Sequence, residues 1–491
     1  MRGQRFWILA AFLISSLCAS TGRVQHPSSR LALQPCTLAH VTGEASCGTF
    51  KVFEDRVARA GRTIRLYIVV LKALEPDAAN DPVFWLHGGP GAAATDMVAA
   101  AQNGIFAAAR RKHDLVFVDQ RGTGSSNPLR CDLDGSPSDL QAYFAEMFPR
   151  DKIRECRAKL DKIANLKLYT TPIAMDDLDE VRAALGYRQI NLLGASYGTI
   201  AAQVYIRRHP EHVRSAFLVG VATPDIKQPL LFPRSAQHAM DLLFTDCDAD
   251  ELCHKNFPSA KQEFDAVLAR FAGGPLEVEL INPHTEKRER VRLPRSSFVE
   301  HLRLVMYTTG GQRLVPFIIH RAFLKDYVPW EKAAIYASPG AGVARGMYFT
   351  ITCSEGVPFI TDQDLVNETR GTYVGEDRVR LHMEACKEWP RADIPRNYIE
   401  PVKSDVPVLM ISGEVDGSSP PWYGENAVKF LSRGRLVKVR YFGHQMEGPC
   451  IQQIFEHFLA AASAEGLDTS CTSAIRRPPF ATEMPPQFAL K

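Results

Sequence analysis

Residues 190–198 read Ile-Asn-Leu-Leu-Gly-Ala-Ser-Tyr-Gly, so that a short apolar run passes directly into a serine flanked by glycines. Residues 194–198 match the pattern G-x-S-x-G, in which the glycines permit a sharp turn from a strand into a helix and leave the serine hydroxyl exposed above the sheet. A helical pattern over 199–207 follows the motif. Because a strand precedes the serine and a helix follows it, the sequence predicts a nucleophile at Ser196 and argues against a purely structural glycine turn.

Further apolar runs along the chain end in the same way, at a Gly, Ser, Asp or His. Uninterrupted runs of this length are typical of strands buried on both faces of a parallel sheet, and helical patterns such as 176–185 lie between them. Alternating strands and helices predict an α/β fold, whose ligands bind beyond the carboxyl ends of the strands. The runs are 83–86, 115–118, 215–219, 406–411 and 436–442.

This regularity breaks between about residues 224 and 402. The stretch contains a predicted hairpin of 276–281 with 288–293 and helical segments such as 297–306. A chain of 491 residues is long for one compact domain, and we interpret the stretch as a cap inserted into the core, closing over the strand ends. The predicted organisation is a signal peptide over 1–22, a core over 36–223 and 403–480, and a cap over 224–402.

The N-terminus has the layout of a secretory signal peptide. Arg2 and Arg5 precede an apolar run over 6–14, and small and polar residues follow over 15–22. The apolar run is too short to span a bilayer. We therefore predict cleavage near residues 19–22, export to the periplasm or the medium, and no stable membrane insertion afterwards. A retained anchor and a lipoprotein modified at Cys18 are the alternatives.

Cysteine usage agrees with export. Of 11 cysteines, ten remain after removal of Cys18, and an even count in an exported chain indicates a disulfide framework rather than free buried thiols. No C-x-x-C pair occurs, which argues against a zinc or redox site, so we expect neither metal nor cofactor. The simplest pairing joins sequence neighbours: Cys36–Cys47, Cys131–Cys156, Cys247–Cys253, Cys353–Cys386 and Cys450–Cys471.

The overall composition excludes other classes of protein. Hydrophobic residues make up 45% of the chain, which argues against disorder. Lys and Arg total 58 against 55 Asp and Glu, a net charge of only +3. This balance gives no electrostatic reason to expect a nucleic-acid partner.

A serine nucleophile needs a base, and in this type of fold the chain order is nucleophile, acid, histidine. His444 directly follows a predicted C-terminal strand and a glycine, and we predict it as the base. For the acid we favour Asp416, in the loop after the preceding strand, with Glu414 as the runner-up. The remaining candidates are less suitable because they fall in a helical run or in the cap: His457, His301, His320 and His382.

The stretch His-Gly-Gly-Pro-Gly at 87–91 predicts an oxyanion hole. A developing negative charge needs preorganised backbone donors, and glycines let the backbone approach closely. We expect the donors to be the N–H groups of Gly89 and Tyr197, with Gly88 less favoured than Gly89. His87 is expected only to brace this loop. Together these features predict the α/β-hydrolase fold, a mostly parallel sheet flanked by helices.

The motifs at 87–91, at 119–126 (Asp-Gln-Arg-Gly-Thr-Gly-Ser-Ser) and at 194–199 together resemble the proline iminopeptidase and tripeptidyl aminopeptidase family of serine exopeptidases. The resemblance covers most of the core, but reaches the cap only in outline, through 351–355. The chain departs from the family pattern at Gln445-Met446-Glu447, which adds an acid after His444. In the C-terminal part the resemblance is carried by 407–416, 443–444, Cys450, 466–471 and 478–480.

The resemblance implies a peptide substrate with a free N-terminus. Such an enzyme must bind a cationic amine, which requires a carboxylate near the strand ends. Glu355 is the first candidate because Cys353 could hold it in place, and Glu447 is the second; for either, a plain surface carboxylate is the alternative. A carboxylesterase or small-amide hydrolase with the same triad is the competing function, and a non-catalytic binding protein is a third. Ser196 excludes an epoxide hydrolase or dehalogenase, which would need an aspartate at that position.

Overall fold

The computed structural model describes residues 31–79, 81–338 and 342–488. The predicted signal peptide, with Cys18, lies outside these residues. Within them the strands form a nine-stranded sheet and a separate two-stranded hairpin. The strands are β1 Leu31–Pro35, β2 Ala45–Phe53, β3 Thr63–Leu71, β4 Val83–Leu86, β5 Leu115–Val118, β6 Ile190–Ala195, β7 Val213–Val219, β8 Leu276–Ile281, β9 Arg288–Leu293, β10 Val408–Gly413 and β11 Gly434–Val439.

The large sheet has the order β1-β2-β3-β5-β4-β6-β7-β10-β11. Its first four strands in this order pair antiparallel, and every pair from β5 to β11 is parallel. The short central strands are buried throughout because both faces are covered: in β4, Phe84 packs into one hydrophobic core and Trp85 into another. This is the mostly parallel α/β sheet that the apolar runs predicted.

Helices cover both faces of the sheet and make up most of the stretch between β7 and β10. They are α1 Gly104–Arg110, α2 Leu140–Tyr143, α3 Arg150–Leu160, α4 Thr171–Ala184, α5 Tyr197–Arg208, α6 Phe232–Ala249, α7 Glu251–Asn256, α8 Ala260–Ala269, α9 Arg295–Val305, α10 Thr309–Gln312, α11 Val315–Phe323, α12 Val328–Ala337, α13 Arg345–Glu355, α14 Asp362–Thr369, α15 Asp377–Lys387, α16 Pro421–Ala427 and α17 Pro449–Ala461.

Three strands have limits that differ from the sequence prediction. Strand β7 begins at Val213, two residues before the predicted run 215–219. Strand β10 begins and ends two residues later than the predicted run 406–411, and β11 covers 434–439 instead of 436–442. The two strands pair in parallel from Val408 with Gly434 to Gly413 with Val439. The ends are therefore set by strand pairing, which hydrophobicity alone does not report. His444 consequently follows a short turn instead of following the strand directly.

The cap, residues 224–402, packs in two different ways. Helices α6, α9 and α12 and the β8–β9 hairpin, which has the predicted bounds, enclose a further hydrophobic core around Trp330 and Phe298. Leu140 and Phe144, from the part of the chain before the cap, also belong to this core. Helix α13, in contrast, packs Met347 and Phe349 into the same core as strands β4 and β6. The part of the cap around Trp330 therefore packs mainly against other cap elements, whereas the part near α13 packs against the sheet. We propose that the core covers residues 36–223 and 403–480 and that the cap covers residues 224–402.

The structure forms all five predicted disulfides. Their Cα–Cα distances lie between 5.1 and 5.7 Å, the usual range for such bonds. Two of the bonds lie within the cap, where Cys353–Cys386 joins α13 to α15 and Cys247–Cys253 joins α6 to α7. Among the described helices, none combines the length and apolar character needed to cross a membrane.

We predict that the two cap disulfides contribute unequally to stability. A crosslink limits the entropy of the unfolded chain, and more so when it closes a longer loop. Cys353–Cys386 spans 33 residues and Cys247–Cys253 spans 6. Replacing both cysteines of a pair by Ala should lower the free energy of unfolding by about 4 kcal/mol for the longer loop and about 2 kcal/mol for the shorter. Urea unfolding of the two double variants measures the difference; equal losses would contradict it.

Candidate active site

Ser196 is the single residue between β6 and α5, and its backbone is forced into a rare conformation, with φ 56° and ψ −125°. A non-glycine residue at positive φ is uncommon and marks stored strain. The flanking glycines make the turn possible. A Cβ on Gly198 would lie 2.0 Å from the carbonyl oxygen of Leu86, and one on Gly194 would lie 2.6 Å from that of Gly198. The Ser196 N–H donates to the carbonyl of Val219 (3.0 Å), which ties the turn to β7.

The structure brings Asp416 and His444 together in a buried hydrogen bond. The distance between His444 Nδ1 and Asp416 Oδ2 is 2.8 Å, and the aspartate side chain is fully buried. Asp416 lies in the loop after β10, and His444 lies beyond β11. Both therefore reach the carboxyl edge of the sheet, where Ser196 also lies.

The surroundings of Asp416 keep its carboxylate ionised. Burial alone would raise the pKa of Asp416, but the neighbouring His444 and the backbone N–H groups of Ser418 and Ser419 outweigh this effect and lower it. Oδ1 accepts these two N–H groups at 2.7 and 3.0 Å, and Oδ2 accepts the Ser419 hydroxyl at 3.0 Å as well as the imidazole. The Asp416 carboxylate is thus held by hydrogen bonds at both of its oxygens.

The imidazole of His444 lies over Gly220, the residue after β7. A Cβ at Gly220 would lie 3.2 Å from His444 Cε1, and φ at this position is +62°, so a side chain here would be strained and would crowd the ring. Val219, the residue before Gly220, accepts the Ser196 N–H. Consecutive residues at the end of β7 therefore contact Ser196 and His444. The ring also contacts Tyr307 of the cap, at 4.8 Å between ring centroids.

The alternative candidates lie elsewhere. Glu414 donates its backbone N–H to the carbonyl of Val439. Its side-chain charge acts on His238: burial lowers the pKa of His238, and the charges of Asp241 and Glu414 partly offset this lowering. His457 is exposed on α17. The remaining three histidines considered from the sequence lie on the cap helices α9, α11 and α15: His301, His320 and His382.

The loop 87–91 lies directly against Ser196. A Cβ on Gly88 would be 3.1 Å from Ser196 Cβ and 3.5 Å from its Oγ. The N–H of Gly88 is occupied, because it donates to Nδ1 of His87 at 2.7 Å. Burial lowers the pKa of His87 to about 4, so this ring is neutral at higher pH and can accept that bond. His87 thus braces the loop.

The two carboxylates considered for amine binding occupy different environments. Glu355, the last residue of α13, is buried and accepts the N–H and hydroxyl of Thr171, both at 2.6 Å, and the hydroxyl of Tyr398. Burial raises its pKa to about 7, against the opposing hydrogen bonds. Together with Tyr197 and Gln228 it lines a small cavity. Glu447 is exposed in the loop after His444.

Two residues of the site have no clear signal in the sequence. The Ser419 hydroxyl donates to Asp416, three residues earlier in the stretch Asp-Gly-Ser-Ser. Such a stretch is typical of a tight turn in which the Asp side chain bonds the residues that follow it, and this was the only hint in the sequence. Tyr307 lies 137 positions before His444 in the numbering and belongs to the cap. No local pattern relates the two.

Comparison with known proteins places these features in a family. A family model described as alpha/beta hydrolase fold matches residues 81–265, and one described as TAP-like protein matches residues 372–471. The tripeptidyl aminopeptidase of Streptomyces lividans is 32% identical over 496 aligned residues, which cover 89% of this chain and 84% of the relative. Serine protease Hip1 of Mycobacterium tuberculosis is 28% identical, with 81% of each chain covered. Among solved structures, a proline iminopeptidase from Mycobacterium smegmatis shares 16% identity at a TM-score of 0.39, covering 84% of this chain and 96% of that one.

The sheet, the strand-to-helix turn at Ser196 and the family match define the chain as an α/β-hydrolase. More narrowly, it belongs to the family of serine exopeptidases that includes tripeptidyl aminopeptidases and proline iminopeptidases, as the sequence motifs predicted. Membership of this family makes it a serine hydrolase of the aminopeptidase type.

We predict that Asp416→Asn lowers kcat on a peptide anilide by roughly 10⁴-fold, because an amide nitrogen at this position favours the wrong histidine tautomer. The fold should survive, since the amide oxygen can still accept the N–H groups of Ser418 and Ser419. Glu414→Gln is the matched control and should stay near wild-type activity. A larger loss in Glu414→Gln than in Asp416→Asn would show that the acid is assigned wrongly.

Proposed function

We propose that the protein is an exported serine exopeptidase that hydrolyses peptide bonds near the free N-terminus of its substrates, through a triad of Ser196, His444 and Asp416. The observation that carries this proposal is the buried His444–Asp416 hydrogen bond at the sheet edge that also holds Ser196. The relatives named tripeptidyl aminopeptidase support the peptide substrate.

Acylation follows from the hydrogen bond between the acid and the base. With Nδ1 of His444 bonded to Asp416, Nε2 is the nitrogen that accepts the proton of the Ser196 hydroxyl. Ser196 Oγ then forms a bond to the carbonyl carbon of the peptide, and the carbonyl π electrons move onto its oxygen. Because burial and hydrogen bonding fix Asp416, the imidazolium that forms meets a carboxylate already in position.

The oxyanion is proposed to bind the N–H groups of Gly89 and Tyr197. Tyr197 is the first residue of α5, so its N–H lacks an acceptor within the helix, and the positive end of the helix dipole favours an anion. In the facing loop the N–H of Gly88 already donates to His87, which supports Gly89 as the second donor.

Collapse of the tetrahedral intermediate breaks the C–N bond, and His444 gives its proton to the leaving amine. The N-terminal fragment remains as an ester of Ser196. A water molecule then attacks this ester with His444 again as the base, which releases the fragment and regenerates the hydroxyl. The substrate is consumed together with one water.

We propose that either Glu355 or Glu447 binds the substrate ammonium group. Glu355 is supported by its place beside Tyr197 in the small cavity, although Thr171 and Tyr398 already bond its carboxylate. Glu447 is supported by its exposure and by its place three residues after His444. Export is supported by the five disulfides, since such bonds persist in oxidising compartments.

The exopeptidase proposal predicts strong discrimination against blocked substrates. N-acetylation removes the positive charge of the amine, and a hydrogen bond to a charged group contributes about 1.5–3 kcal/mol, or roughly ten- to hundredfold in kcat/KM. Acetylated tripeptide, Ala and Pro anilides should therefore be poorer substrates by at least this factor than their free-amine forms. Equal cleavage of both forms would contradict the exopeptidase proposal and leave an esterase or amidase.

Glutamine variants show which carboxylate is involved. The two variants are Glu355→Gln and Glu447→Gln. The variant that removes the carboxylate bound to the substrate ammonium group should reduce kcat/KM for free-amine anilides and leave kcat/KM for uncharged esters unchanged. Glu465→Gln, at another exposed glutamate, is the control and should change neither. A variant that loses activity equally on anilides and esters excludes its residue as the anchor.

A further inference from the structure

The cap reaches the catalytic histidine through a short segment, residues Met306–Gln312, which includes α10. The ring of Tyr307 lies 4.8 Å from the imidazole of His444, tilted by 43°. The imidazole thus has three neighbours: Gly220 near its Cε1 and Nδ1, Asp416 bonded to its Nδ1, and the ring of Tyr307.

The same segment holds the backbone on both sides of His444. Gln445 donates its N–H to the carbonyl of Tyr307 at 3.0 Å. On the other side, a Cβ at Gly443 would lie 2.4 Å from Nε2 of Gln312 and 2.7 Å from the Tyr307 carbonyl oxygen. The loop therefore passes so close to the cap segment that only a glycine fits before the histidine.

Gln312 connects the segment to the acid loop as well. Its side chain is fully buried, and Nε2 donates to the carbonyl of Met306 at 2.9 Å and to that of Val415 at 3.2 Å. Val415 directly precedes Asp416 in the chain. One cap side chain thus contacts the histidine loop at Gly443 and the acid loop at Val415.

Tyr307 is itself fixed from behind. Its hydroxyl accepts a hydrogen bond from Nη1 of Arg303 at 2.6 Å, and Arg303 forms a two-pronged ion pair with Glu300 at 2.6 and 2.9 Å. Burial would raise the pKa of Glu300, but the charges of Arg303 and Arg378 outweigh it and hold the pKa at about 2. The guanidinium of Arg303 also lies over the ring of Phe232, at 4.2 Å. The tyrosine ring therefore has little freedom to leave the histidine.

We propose that Tyr307 is a positioning residue for His444, and that Gln312 keeps the segment carrying it in register with the histidine and acid loops. The proposal rests on His444 being the base of the proposed function. It gives the cap a part in the chemical step, in addition to covering the site. The tyrosine ring acts by keeping the imidazole directed at Ser196, so its loss should lower kcat more than it changes KM.

The test compares Tyr307→Leu with Tyr307→Phe, using the rate of labelling by an organophosphorus probe and kcat and KM on a peptide anilide. Misplacing a catalytic group by about 1 Å can cost roughly 100-fold in rate, and Tyr307→Leu should lose about 10- to 100-fold in both kcat and labelling rate. Tyr307→Phe retains the ring and should recover most of the loss. Tyr336→Leu, at an exposed cap tyrosine on α12, is the control and should match wild type.

Several results would overturn the proposal. One is that folded Tyr307→Leu is labelled at the wild-type rate and has the wild-type kcat. Another is that Tyr307→Leu changes KM alone. A third is that Tyr307→Phe loses as much kcat as Tyr307→Leu does. If thermal melting shows that Tyr307→Leu does not fold, Gln312→Met decides, because it leaves the ring in place and removes both hydrogen bonds of Nε2; unchanged kcat there would overturn the proposal. The labelling assay needs no peptide, so it tests Tyr307 separately from the substrate. Equal cleavage of blocked and free peptides would contradict the exopeptidase proposal alone. A wild-type protein that the probe does not label would contradict the serine mechanism and, with it, the role of Tyr307.

Discussion

The close packing of three backbone segments around Ser196 is the constraint on which the site depends. The helix that follows the serine passes so near to β4 that a side chain at Gly198 would collide with the Leu86 carbonyl. Since β4 leads directly into the loop 87–91, the same approach sets the distance between nucleophile and oxyanion loop. On its other side Ser196 is bonded to the end of β7, whose next residue, Gly220, supports the histidine. Backbone contacts thus set the positions of Ser196, the loop 87–91 and His444 together.

The cap completes what the sheet edge begins. It touches the oxyanion loop where Ala344 donates its N–H to the Gly91 carbonyl at 2.9 Å and where Gln228 reaches the Gly89 carbonyl at 3.4 Å. It touches the histidine loop through Tyr307 and the acid loop through Gln312. Both halves of the site therefore depend on elements outside the sheet. The positions of Asp416 and His444 thus depend on the packing of the cap as well as on the sheet.

Local signals in the sequence predicted much of this arrangement. Strands β4 and β5, the β8–β9 hairpin and the five disulfides agree residue by residue, because apolar runs, turn residues and neighbouring cysteines are visible along the chain. The motif and the chain order predicted catalytic roles for Ser196, Asp416 and His444, and these roles stay predictions. The limits of β10 and β11 were off by two to three residues because pairing between strands determines them. Tyr307 and Gln312 could not be found, since their contacts join distant segments, and the bonds of Glu355 to Thr171 and Tyr398 were hidden for the same reason.

The central claim is that Ser196 is the nucleophile, activated by His444. The most direct test is to react the folded protein with an organophosphorus probe, digest it and locate the adduct by mass spectrometry, with Ser196→Ala as the control. The account predicts a single adduct on Ser196 in the wild type and none in Ser196→Ala, whose melting curve should be unchanged. An adduct on another serine, or undiminished labelling of Ser196→Ala, would contradict it.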